Sequence, residues 1–153
     1  MPEIYCESDA DHCFAMAVLG IFICDLYFPD ANVLTVIMMC LLHELGEIIH
    51  GDPPSTDDPD LKAEKHRNER HAIVELLKDI PNAEKYIDLW EEFEEGKTLE
   101  ARLVKQLDRL EMALQSKIYT LQHRNDLQEF IDGVYPHLES PELIAILVEV
   151  DSI

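Results

Sequence analysis

Two apolar segments joined across a helix breaker frame what this chain can fold into. Residues 13–24 (CFAMAVLGIFIC) and 33–42 (VLTVIMMCLL) are apolar at almost every position, and Pro29-Asp30 interrupts them. Ser8 followed by Asp11 matches a capping box and predicts a first helix to about Tyr27. Asp30 is expected to cap a second helix that continues through Val33–Leu42 to about His50 and is closed by Gly51. Helices apolar on nearly every side belong at the centre of a bundle, and so short a link predicts antiparallel packing.

The rest of the chain carries helix signals too. Asp58 with Pro59 behind it starts a third helix, amphipathic to about Lys78. Pro81-Asn82 begins a fourth, which reaches Glu95 and stops at Gly96. Thr98 caps a long fifth helix to about Gln122, with Leu103, Leu107, Leu110, Leu114 and Leu121 along one face. Shorter helices follow, the last opened by Ser140-Pro141. No convincing strand pair occurs, and five glycines leave few positions for hairpin turns. The expectation is an all-α, single-domain helical bundle over residues 1–153, with six or seven helices. A domain of this length hides roughly 70% of its unfolded surface.

Charge narrows the function. The chain carries 32 acids against 12 bases, a formal net charge of −20, and its first basic residue is Lys62. Such a surface repels polyphosphate backbones, so a nucleic-acid polymer is excluded as a partner. A phosphorylated small molecule remains open where a metal ion supplies positive charge. Cys6, Cys13, Cys24 and Cys40 lack C-x-x-C spacing and read as reduced thiols. The acidic N-terminus does not resemble a signal peptide, and the apolar run of residues 13–24 is too short to span a bilayer. The expected location is the cytoplasm, without a membrane partner.

An antiparallel hairpin brings His12, which opens the first helix, near His43-Glu44-Leu45-Gly46-Glu47 at the far end of the second. Two histidines and two carboxylates thus converge just before Asp52. Asp108 lies on a mostly apolar stripe of the fifth helix with Ala101, Val104 and Met112. A carboxylate there needs a partner, and either a metal or Lys105 would serve.

His43-Glu44-x-x-Glu47 departs from the zincin pattern, because Glu47 stands where the second zinc histidine belongs. Glu47-x-x-His50 offers one of the two Glu-x-x-His pairs of a ferritin-like di-iron site, with no second pair. His66, His71, His123 and His137 fall on polar faces or near turns and read as solvated. No glycine-rich phosphate loop or nucleophile elbow is present.

These residues resemble the HD-domain metal-dependent phosphohydrolases, in particular the small single-domain type similar to 5′-deoxynucleotidases. The likeness runs in order through Glu7-Ser8-Asp9-Ala10-Asp11-His12, His43-Glu44-Leu45-Gly46-Glu47, Gly51-Asp52 and Glu64-Lys65-His66-Arg67. It continues through Leu89-Trp90-Glu91-Glu92-Phe93-Glu94 and residues 100–108 (EARLVKQLD). It implies an all-helical bundle assembled as a homodimer. It also implies hydrolysis of deoxyribonucleoside 5′-monophosphates with a divalent transition metal: manganese, cobalt, iron or zinc. Carried onto this chain, the metal ligands fall on His12, His43, Glu44 and Asp108, and the acid/base carboxylates on Glu47 and Asp52. The apolar segment of residues 143–150 could extend a helix interface or equally serve as ordinary core, the more frequent outcome for a terminal amphipathic helix.

Two departures from the family pattern stand out. The signature pair is His43-Glu44 where the family has His-Asp, and the extra methylene moves the carboxylate by roughly 1.5 Å. The family also carries an Arg ahead of the first ligand segment that holds substrate phosphate. No Arg or Lys precedes Lys62, and Lys105 is the expected substitute. The alternative to a hydrolase is a degenerate HD domain that binds metal or nucleotide and acts through association.

Overall fold

The computed structural model describes residues 6–47, 49, 51, 58–123 and 126–153. They form α1 (Asp9–Tyr27), α2 (Val33–Leu42), α3 (Pro59–Leu77), α4 (Glu84–Glu95), α5 (Leu99–His123), α6 (Gln128–Val134) and α7 (Pro141–Ser152). Short 3-10 turns occupy His43–Gly46 and Tyr135–His137, and no strand occurs among the described residues. The all-α expectation holds.

Local chemistry sets most helix ends. Ser8 and Asp11 exchange the reciprocal hydrogen bonds of a capping box at the start of α1. Asp58 accepts from the Asp60 amide, with Pro59 as the first helical residue of α3. Gly96 closes α4 in the left-handed conformation at φ 62°. The start of α2 differs from expectation: Asn32, not Asp30, is its cap, accepting from the Thr35 amide at 3.2 Å. The Asn32 amide in turn donates to Glu100 at the start of α5 at 2.7 Å, a tertiary bond that local pattern does not reveal. The end of α2 differs too. The α-helix stops at Leu42 and tightens into the 3-10 turn, well short of His50.

The α1–α2 pair is antiparallel. His12 and His43 have ring centroids 5.6 Å apart, and nearer the link Gly20 faces Val36. A Cβ at Gly20 would stand only 3.0 Å from Val36 Cγ1, so the glycine is what lets the helices approach.

The pair is not the centre of the bundle, however. That place belongs to α5, whose Leu103, Val104, Leu107, Leu110 and Ala113 are buried. Around it pack Met16 and Ile23 of α1, Val36 and Met39 of α2, Ile131 of α6, and Leu143 and Leu147 of α7. Residues 143–150 contribute to the core, with Leu143, Leu147 and Val150 turned inward. Leu121, expected on the inner face of α5, is exposed. A smaller cluster of Ile73, Ile87 and Trp90 joins α3 to α4, with Leu45 of the 3-10 turn against it.

Among the exposed residues of α1 and α2 are Phe14, Phe22, Leu26, Leu34 and Leu41. Capped at Ser8, α1 is longer than its apolar run. By length and composition alone its 19 residues, with a mean hydropathy of 1.5, suffice to cross a membrane. One face of the helix is nonetheless spent on α2 and α5.

Candidate metal centre

The hairpin, the 3-10 turn and α5 bring four of the predicted residues together. One ligand atom each from His12, His43 and Glu44 lies within 4.8 Å of the others. Asp108 joins from α5, its Oδ1 3.3 Å from His12 Nε2.

Hydrogen bonds on the opposite ring nitrogens fix both tautomers. His43 Nδ1 lies 2.9 Å from the Cys40 carbonyl oxygen, which can only accept, so Nδ1 carries the proton. His12 Nδ1 lies 2.7 Å from the Glu111 carboxylate, a buried residue one turn beyond Asp108. Both Nε2 atoms are thereby left as candidate ligand atoms, with the acceptor on the opposite nitrogen orienting each ring.

Each Nε2 faces an acidic oxygen. His43 Nε2 is buried and lies 3.0 Å from Glu44 Oε1. A neutral imidazole would here set a lone pair against a carboxylate, acceptor against acceptor. Only a proton or a cation relieves that.

The titration behaviour expresses the same demand. Burial opposes charge on His12, but hydrogen bonds to Asp108 and Glu111 outweigh it and push the imidazole up to about 10. Burial likewise opposes charge on His43, and its bonds to Cys13 and Glu44 carry it up to about 10. Glu44 is lowered, first by its bond to His43. Asp108 is lowered as well, because His12 and the neighbouring cations overcome its burial. Two imidazoles and two carboxylates, arranged around a shared need for positive charge, suit a divalent transition metal.

The longer acid at position 44 still reaches this cluster. It does so from a 3-10 turn, which advances about 2.0 Å per residue where an α-helix advances about 1.5 Å.

A cavity of about 870 Å³ opens beside the cluster, lined by His43, Glu44, Glu47 and Asp108 on one side. Lys62, Lys65, Arg102, Lys105 and Arg109 contribute to the remainder, five of the chain's 12 basic residues. Lys105 lies with its Nζ 4.5 Å from the centre of the Phe93 ring, and Phe93 in turn meets His43 edge-on at 5.4 Å. The predicted phosphate contact is thus one ring away from a predicted metal ligand. Glu47 reaches the same cavity, while Asp52 and His50 lie outside the described residues.

Sequence reasoning missed three participants. Glu111 gave only the weak signal of an acid on an otherwise buried stretch of α5. Arg102 precedes Lys105 by one turn, a spacing visible in the sequence. His66, read as solvated, is half-buried and stacked on Trp90 at 5.2 Å with its planes 17° apart. His71 and His137 are exposed as expected, and the His123 side chain lies outside the described residues.

An all-helical bundle with a histidine–carboxylate cluster beside a cation-lined cavity has the form of a metal-dependent hydrolase acting on an anionic substrate. The chain belongs to the HD domain family, whose model matches residues 2–143. It is 34% identical over 151 residues to the human 5′-deoxynucleotidase HDDC2, covering 95% of this chain and 72% of that protein. With the Danio rerio protein of the same name it shares 38% over 146 residues, 92% of this chain and 70% of the relative. The fold is similar to that of a predicted metal-dependent phosphohydrolase from Magnetospirillum magnetotacticum. There the TM-score is 0.73 and the identity 26%, over 95% of this chain and 78% of the other. A Pyrococcus horikoshii protein gives 0.72 and 26%, over 99% and 86%.

Proposed function

We infer that this chain is a metal-dependent phosphohydrolase that releases phosphate from (deoxy)nucleoside 5′-monophosphates. The observation that carries the reading is the cavity itself. In a chain of net charge −20, five of 12 basic residues border a pocket that also holds a histidine–carboxylate cluster. That pairing recruits a cation and a substrate anion to one place.

In this reading His12, His43, Glu44 and Asp108 hold the metal. When bound, a divalent metal polarises a phosphoryl oxygen and makes water a better nucleophile. Lys105, extended along Phe93, contacts the substrate phosphate, and Arg102 and Arg109 lie on the same helix to attract it. Glu47 takes a proton from water or returns one to the leaving 5′ oxygen. Asp52 is proposed as a second acid/base carboxylate on the strength of the family resemblance alone.

The metal is a first-row divalent ion: manganese, cobalt, iron or zinc. A homodimer is part of the proposal. Its support is the exposed apolar side of α1 and α2, where Phe14, Phe22, Leu26 and Leu34 are each at least 62% exposed. A cytoplasmic location is proposed as well. It is supported by Cys13, Cys24 and Cys40, all free and buried, with Cys40 pushed up to about 12 mainly by burial.

The test is metal analysis followed by phosphate release from a panel of ribo- and deoxyribonucleoside monophosphates under manganese and cobalt. Turnover in the wild type that disappears in Glu47→Ala, with metal retained, is the expected result. Metal-loaded wild type inert toward the whole panel would favour the degenerate, associating domain.

A further inference from the structure

The turn that carries His43, Glu44 and Glu47 is backed by α3, and the contact is unusually close at one point. A Cβ on Gly46 would stand 2.8 Å from Glu69 Cβ, so α3 reaches the turn only because position 46 has no side chain. Glu69 is buried at that contact, its side chain 7% exposed. Burial pushes its carboxyl upward, Lys65 pulls it down, and Glu94 and Glu47 push it up again.

Lys65, one turn earlier on α3, stands between the two acids. Its Nζ is 3.3 Å from Glu69 Oε1 and 2.9 Å from Glu47 Oε1. A lysine on a helix surface ordinarily samples many rotamers. Here one end of the bridge is a carboxylate packed where two elements meet, with little freedom of its own. Without the ammonium, Glu47 and Glu69 would oppose each other as like charges.

We propose that Lys65 is a positioning residue: Glu69, packed where α3 meets the turn, fixes the ammonium, and the ammonium holds the Glu47 carboxylate at the cavity wall. This rests on the reading of Glu47 as the proton-transferring group. The role differs from a direct grip on substrate phosphate, the part proposed above for Lys105. It also accounts for Gly46, since any side chain there would push α3 and the bridge away from the turn.

Lys65→Met, Lys65→Arg and Glu69→Gln test the bridge in the full-length, metal-loaded protein. Lys65→Met should keep its metal content and lower kcat by roughly tenfold to a hundredfold, the scale of a misplaced catalytic group. Its KM should stay within about twofold of wild type on the same argument. Lys65→Arg should recover most of kcat, and Glu69→Gln should lower it in the same direction by less.

A Lys65→Met enzyme with wild-type kcat overturns the proposal. So does a raised KM at unchanged kcat with Glu69→Gln silent, because that pattern makes Lys65 a substrate contact. Crystal structures of wild type and Lys65→Met grown with manganese decide the matter without turnover. The Glu47 carboxylate should leave its place in the variant, and an unmoved carboxylate overturns the bridge. Should wild type release no phosphate from any nucleotide, the phosphohydrolase reading fails while the crystallographic comparison still judges Lys65.

Discussion

Glu111 shows how much of the candidate centre depends on a residue that need not touch a metal. Its carboxylate sits 2.7 Å from His12 Nδ1 and is buried, so it dictates which nitrogen of His12 faces Asp108. Glu111→Ala should weaken metal binding about 10- to 100-fold, as removal of an outer-shell partner typically does. Titration calorimetry with manganese reads this directly, and unchanged affinity would count against the orienting role.

Protons and metal compete for the same two imidazoles. Both are raised from 6.5 to about 10 in the metal-free protein, so each prefers the protonated form at neutral pH. Their stabilisation of the metal-free fold is complete below about 6.5 and is lost as pH rises through about 10. Metal binding must displace those protons, so apparent affinity should climb across the same interval. Calorimetry at pH 7 in buffers of different ionisation enthalpy should report release of at least one proton per metal bound. A buffer-independent heat would mean the imidazoles are already neutral.

At the scale of elements, what holds the bundle ends together is side chains that cap a neighbour. Gln106 on α5 is buried, and its Oε1 accepts from the Glu139 and Ser140 amides, both at 2.8 Å. These bonds seat the approach to α7, whose own cap Ser140 makes no side-chain hydrogen bond. Gln106→Ala leaves two backbone donors unpaired and should cost about 1–3 kcal/mol. That is a fall of several degrees in melting temperature for a domain of this size. Retention of the wild-type melting temperature would show that water replaces the glutamine. The 3-10 turn at His43–Gly46 belongs to this scale as well. Its sequence HELG ends in a glycine, yet nothing local selects a 3-10 turn over a further α-turn. At its end Gly46 packs against Glu69, 23 residues away in the chain.

At the scale of the whole molecule, the exposed apolar side of α1 and α2 is the feature most in need of a partner. Phe22→Glu combined with Leu26→Glu should convert a dimer into a 17.6 kDa monomer by light scattering while leaving metal content unchanged. A wild type that is already monomeric at micromolar concentration would remove the dimer from the proposal. The helices themselves were legible in the sequence because their signals act within about four residues. The Ser8–Asp11 box, Asp58-Pro59 and Gly96 satisfy or terminate backbone hydrogen bonds without help from the rest of the chain. The approach of His12 to His43 was legible for a related reason, since a short link leaves an antiparallel hairpin few ways to pack. Only the tertiary structure decided that α5 is the centre and that α1 and α2 are half outside. A helix apolar all round has no polar face to say which side turns inward, so its orientation is set by neighbours distant in sequence. The same holds for the bonds that orient the site: Glu111 reaches His12 across 99 residues and Lys65 reaches Glu47 across 18, and no local periodicity encodes a contact closed by folding.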